Sequence, residues 1–140
     1  MQEFYSCKLD FKDQLIFYPS DKVRWLDLDS DFSMIKDYYR LFSENEIKKE
    51  DFSSSLWRIC ALVEDGSIYA FAGALFMSPR NWEIGAVSTH PEHRNNGYGK
   101  SVCSFVALFI LDNGKQATCN TDINNHAMIK VMRDIGMVVQ

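Results

Sequence analysis

From Tyr98 to Asp112 the apolar positions Val102, Phe105, Val106 and Phe109 recur at i, i+3, i+4 and i+7, the period of a helix. The opposite face carries Cys103, Ala107, Leu108 and Ile110, so this helix is expected to be buried on most sides. Asn113-Gly114 stops it. Upstream the pattern is that of strands. Residues 57–63 and 68–77 predict two strands joined by a tight turn at Asp65-Gly66. Residues 78–81 turn the chain again, 82–89 predict a third strand, and Pro91 ends it, because proline cannot donate to a sheet ladder. A short strand over 23–27 precedes this meander. From Asp31, read as an N-cap, the stretch DFSMIKDYYRLFSENEIKK predicts one or two helices, with Ile35, Tyr38, Tyr39 and Phe42 at helical spacing. Downstream, 116–121 predict a strand and 125–135 a last helix capped by Gly136. At the other end, 4–9 and 14–18 read as two strands around a Phe11-Lys12-Asp13 turn.

The 140 residues suit one domain spanning 1–140, with residues 1–20 as additional strands. Hydrophobic residues make up 46% and charged residues 24%, the balance of a globular chain. The longest apolar run, 105–111, is too short for a membrane span, and the charged N-terminus does not resemble a signal peptide. A net charge of −4 with scattered Lys and Arg argues against nucleic acid as a partner. Cys7, Cys60, Cys103 and Cys119 form no C-x-x-C pair, and three sit in apolar segments. They read as reduced, packed thiols of a cytoplasmic protein. His90, His93 and His126 show no HExxH spacing, so no metal site is expected.

Residues 91–101 read PEHRNNGYGKS and end like a Walker A loop. That loop needs a glycine five residues before the Gly of Gly-Lys-Ser, and here the position is Arg94. A nucleotide-hydrolysing loop is therefore disfavoured. Arg94 to Gly99 instead lie between a strand and the first turn of a buried helix, where free amides and the helix dipole favour an anion. Gly97 and Gly99 permit close backbone approach, and Arg94 and Lys100 add positive charge. A diphosphate fits this arrangement. The same turn could also serve only to cap the helix.

R-x-x-G-x-G between an antiparallel strand and a helix resembles the signature of the GNAT superfamily of N-acetyltransferases. The longer string VSTHPEHRNNGYG and the downstream TDINNHAMIKVMRDIGM also resemble that group's motifs. The resemblance covers about residues 23–137. It implies a mixed α+β fold, a mostly antiparallel central sheet flanked by helices, and acetyl-CoA as co-substrate with an amine acceptor. Carried over, the backbone of Val87, Ser88 and Thr89 would pair with the pantetheine arm. Arg94, Asn95, Asn96, Gly97, Tyr98, Gly99, Lys100 and Ser101 would hold the pyrophosphate. Asn125 would bond the pantetheine while also serving as an N-cap.

Glu83 stands eleven residues before Arg94, the offset of the general-base glutamate in the histone-acetylating branch. Strand alternation would put Glu83, Gly85, Val87 and Thr89 on one face, and a backbone N–H near Val87 could polarise the thioester carbonyl. Two departures stand out. The position of the family's general-acid tyrosine is Met132, which leaves water, the substrate ammonium, Tyr98 and Cys119 as proton sources. Met128, Met132 and Ile135 read instead as a core stripe. The sequence also ends soon after the G-F/Y position, where family members continue with two more strands. Residues 1–20 are expected to fill that place, either on their own domain or exchanged in a homodimer; the alternative is a loose arm that leaves the acceptor side open. The reading is an N-acetyltransferase of a primary amine, the alternative a coenzyme A-binding module without transferase activity. The net charge favours a cationic acceptor such as a polyamine, an aminoglycoside or a lysine side chain.

Overall fold

The structure, a computed structural model, describes residues 3–140; residues 1 and 2 of the expected N-terminal strand region lie outside it. In chain order it consists of β1 (Phe4–Leu9), β2 (Val23–Trp25), α1 (Leu28–Tyr39), β3 (Trp57–Glu64), β4 (Ser67–Leu75), β5 (Asn81–Thr89), α2 (Tyr98–Asp112), β6 (Gln116–Asp122), α3 (His126–Asp134) and β7 (Val138–Val139). Among the described residues the strands form one seven-stranded sheet in the order β2-β3-β4-β5-β6-β1-β7. Each neighbouring pair is antiparallel except β5 and β6, which run parallel. This is the mixed, mostly antiparallel sheet flanked by helices that the sequence implied.

Alternation along β3 and β4 builds a core on each face of the sheet. Ile59, Ala61 and Phe71 pack with Ile35 and Tyr38 of α1. Cys60, Leu62, Ala70, Ala72 and Ala74 turn the other way, toward Val102, Val106 and Ile110 of α2. Three alanines in alternation give α2 a flat floor to lie on, and no residue from Ser101 to Leu111 is exposed. Met132 and Ile135 of the last helix region join this second core, both essentially buried, as expected of the stripe, whereas Met128 is only partly buried and lines the cleft described below. All four thiols are free and buried.

Two elements differ from the sequence expectation. The cap of α1 is Asp27, whose Oδ1 accepts from the N–H groups of Asp29 (2.8 Å) and Ser30 (3.3 Å). Asp31 lies inside the first turn and is 8% exposed. The run DLDSD offers several cap residues, and the extended backbone of Asp27 settles the choice. Downstream a single helix ends at Tyr39, and Phe42 is exposed.

The second difference is at the N-terminus. β1 is a strand, but residues 14–18 are not its hairpin partner. β1 pairs along its whole length with β6, from Phe4 opposite Asp122 to Leu9 opposite Ala117, and thereby fills the place beyond β6 from within its own chain. Residues 14–18 run as a strap. The Ile16 N–H donates to the Ile135 carbonyl (2.9 Å) and the Tyr18 N–H to Ser104 Oγ (3.0 Å). Those two donors are spent on the end of α3 and on α2 rather than on a ladder with β1. Gly136 makes the strap fit: a Cβ there would lie 2.2 Å from the Gln14 carbonyl oxygen, and its φ is +94°.

Candidate active site where β5 and β6 diverge

β5 and β6 pair only over three positions, Asn81 with Gln116, Trp82 with Ala117 and Glu83 with Thr118. Beyond Glu83 the strands part. At the same place β5 bulges against β4: the register shifts between Phe71 and Gly73, so Ala86 and Val87 together oppose Ala72. Ala86 carries the strain, with φ +53°. A cleft of about 780 Å³ opens between the separated strands, walled by Ile84 to Thr89, Cys119 to Thr121, the start of α2 and the cleft side of α3. Because β5 has left β6, its backbone groups on that side face the cleft instead of a neighbouring strand.

The extra residue also breaks the alternation expected for Glu83, Gly85, Val87 and Thr89. Glu83 and Gly85 share the α1 side with their partners Leu75 and Gly73. After the bulge Val87 packs into the α2 core and Thr89 lies beside Gly99. Ser88 takes the α1 side, where its Oγ lies 2.7 Å from the Tyr38 hydroxyl. Burial pushes the Tyr38 phenol up to about 12. Val87, Ser88 and Thr89 all line the cleft.

At the mouth of the cleft, Pro91–His93 form a short turn in which His90 Nδ1 accepts from the Glu92 N–H (3.1 Å). Asn95 and Gly97 then both adopt left-handed φ, +66° and +77°. Gly97 is the N-cap of α2 and turns the first-turn amides of the helix toward the opening. Arg94, Asn95, Gly97, Tyr98, Gly99 and Lys100 line the cleft. Asn96 and Ser101 lie outside its walls. The Asn96 amide donates to the His93 and Arg94 carbonyls (3.1 and 3.3 Å), holding the loop closed, and the Ser101 hydroxyl donates to Gly97 (3.5 Å). The Lys100 ammonium is held by Asp134 at 2.8 Å rather than swinging free. Its bond to that carboxylate raises its pKa above the ordinary lysine value.

Glu83 is not among the residues that line the cleft; its carboxylate accepts from the side-chain amide of Asn120, which does line it. Glu83 is the last β5 residue still paired with β6, so it stands on the α1 side of the point where the strands part. The Cys119 thiol, beside it, is pushed up to about 12 by burial and then by the charge of Glu83. Asn125 caps α3, accepting from the Met128 N–H (3.2 Å), and lines the cleft. Met132 is fully buried.

Three polar residues at or beside this cleft escaped the sequence reading. Tyr38 and Asn120 gave no local signal, because tertiary packing alone brings them to Ser88 and Glu83. Lys130 did leave one: it stands four residues before Asp134 and pairs with it at 2.9 Å.

The chain belongs to the acetyltransferase (GNAT) family, whose model matches residues 21–137. Solved structures agree on the fold. A GNAT-family acetyltransferase from Colwellia psychrerythraea superposes with a TM-score of 0.81 at 14% identity, covering 99% of this chain and 53% of that one. A GCN5-related N-acetyltransferase from Kribbella flavida gives 0.66 at 14%, covering 96% and 53%. An aminoglycoside acetyltransferase from an uncultured soil metagenomic sample gives 0.65 at 13%, covering 81% and 86%. This chain thus spans about half to three-fifths of the length of the first solved structures it matches. No curated protein matched the sequence. Among the described residues no helix is long and apolar enough to cross a membrane, and no cluster of His, Cys, Asp and Glu suits a metal ion.

Proposed function

We propose that this domain transfers the acetyl group of acetyl-CoA to a primary amine. The observation that carries the reading is the edge of β5 left unpaired with β6 beyond Glu83, in a cleft whose far end is the start of α2. An arm bearing amides can dock on such an edge as an added strand, and a diphosphate at its end would meet the first-turn amides of Tyr98, Gly99 and Lys100. The fit is chemical as well as geometric. Backbone donors and acceptors line one stretch and an anion site the next, which is the order of groups along coenzyme A. Val87, Ser88 and Thr89 would hold the arm, Asn125 would reach it from α3, and Arg94 to Lys100 would hold the phosphates.

The acetyl carbonyl would then lie near the bulge, where a β5 backbone N–H polarises its oxygen. Glu83 stands on the α1 side of the same point and accepts the proton of the incoming amine, so the free nitrogen attacks the carbonyl carbon and the carbon–sulfur bond breaks. Met132 is sealed in the core and donates nothing. Tyr98 sits at the phosphate end, 5.9 Å ring to ring from Tyr69. Cys119 has a thiol raised to about 12, a weaker acid than an ordinary thiol at about 8.5. Once its bond to carbon has formed, the nitrogen sheds a second proton, which goes to the departing thiolate directly or through water, while the first stays on Glu83 until product leaves. A cationic acceptor, such as a polyamine, an aminoglycoside or a lysine side chain, fits an approach past Glu83.

Thiol release from acetyl-CoA with a panel of amines tests the reading. Amine-dependent release is the expected result. Tight coenzyme A binding with no release for any amine would support the alternative, a binding module without transferase activity.

A further inference from the structure

The two lysines of the cleft share one carboxylate oxygen. Lys100 Nζ lies 2.8 Å and Lys130 Nζ 2.9 Å from the same Oδ2 of Asp134. Both lysines line the cleft, and Asp134 does not. The carboxylate therefore stands behind the pair and holds two like charges side by side. It neutralises only one of them. The arrangement is fixed from behind as well: the Tyr18 hydroxyl donates to the Asp134 backbone carbonyl (3.1 Å), and the Tyr18 ring lies 5.5 Å from Lys100 Nζ. What remains is a preassembled site with one net positive charge and ammonium donors on two helices. Two converging ammonium groups suit a phosphomonoester, whose three terminal oxygens carry close to two negative charges.

Its place along the cleft says which phosphate. Asn125, Met128 and Val131 line the same wall of α3 in sequence. Val131 reaches the α2 loop, where its Cγ2 lies 3.5 Å from the position of a Cβ on Gly99. Lys130 thus stands beside the diphosphate loop, on the α3 side and away from the strand edge that would take the pantetheine arm. Resting on the acetyl-CoA reading above, we infer that Lys100 and Lys130, braced by Asp134, form a subsite for the 3′-phosphate of coenzyme A. That group hangs from the ribose one step beyond the diphosphate. The diphosphate itself is left to the loop amides and Arg94.

Calorimetric titration with coenzyme A and with 3′-dephospho-coenzyme A tests this on the wild-type domain and on Lys130→Gln. Lys130 is largely exposed, so the variant folds. A charge-assisted bond to phosphate is worth about tenfold or more in affinity. The wild type should prefer coenzyme A by about that factor, and Lys130→Gln should remove most of the preference by weakening coenzyme A alone. Lys36→Gln, far away on α1, controls for net charge and should keep the preference. A wild type that binds both compounds equally well overturns the subsite and leaves the transferase reading standing. A preference that survives in Lys130→Gln, or that falls equally in Lys36→Gln, also overturns it. A wild type that binds neither compound sinks both readings.

Discussion

The Tyr38 hydroxyl lies 2.7 Å from Ser88 Oγ, tying α1 to β5 just past the bulge that shapes the cleft. Tyr38 is 3% exposed, so its polar end depends on this bond. Tyr38→Phe should cost about 0.5–1.5 kcal/mol in denaturant titration, and Ser88→Ala should add little on top of it, since both remove the same bond. There is a pH signature too. The phenol's folded pKa is raised from 10.0 to about 12, so the folded state holds the proton more tightly. That contribution is fully present below pH 10 and is lost as pH rises toward 12. Alkaline unfolding curves should lose this component in Tyr38→Phe.

Asp31 carries the opposite dependence. Its carboxylate takes both Arg24 nitrogens, at 2.8 and 2.9 Å, and the Asp27 N–H at 2.7 Å. The Arg24 bonds hold its pKa below the ordinary 3.8. Stability from the pair is complete above that value and is lost as pH falls through the lower, folded one. Asp31→Asn should cost about 1–2 kcal/mol at neutral pH, near the low end for charged bonds because Arg24 is half exposed. The difference from wild type should shrink in acid.

Glu83 is the test of chemistry as opposed to binding. Glu83→Gln keeps the side chain's size and its contact with Asn120. If Glu83 is the base, turnover should fall by about 10²–10⁴-fold while coenzyme A affinity stays unchanged. Turnover within about twofold of wild type would mean that another group takes the proton.

The parts legible in the sequence are those with local causes. The i, i+3, i+4, i+7 pattern of α2, the Asp65-Gly66 turn, the meander of β3 to β5 and the Asn125 cap all follow from neighbours along the chain, and the structure has each. The loop from Arg94 to Lys100 was readable because a strand end, two glycines and a helix start fall together there, and Gly97 takes the left-handed φ of +77° that its lack of a side chain permits. The bulge at Ala86 was not: Gly85 stands just before it, but the positive φ falls on the alanine, and the shift belongs to the pairing of β5 with β4. It reversed the facing of Ser88 and separated Val87 from Glu83. The partner of β1 was hidden for a similar reason. A hairpin with 14–18 and a long-range pairing with β6 satisfy the same alternation, and only the bonds of Ile16 and Tyr18 to Ile135 and Ser104 decide between them.

Gly99 ties the proposed phosphate loop to a direct measurement. A Cβ at Gly99 would lie 3.5 Å from Val131 Cγ2 and 3.8 Å from Thr89 Oγ1, ordinary contact distances. A single methyl therefore fits the fold. The two further methyls of valine have protein on those sides, so they fill the space where the first-turn amides open on the cleft. Gly99→Val should remain folded with a modest loss from packing and from β-branching in a helix. Ligand linkage should change far more. Saturating coenzyme A at about 100 times its dissociation constant stabilises a single-site protein by about 2.7 kcal/mol, read as a rise in melting temperature. That rise should be present in wild type, reduced in Gly99→Ala and absent in Gly99→Val. An undiminished rise in Gly99→Val would show that the diphosphate binds elsewhere and remove the loop from the site.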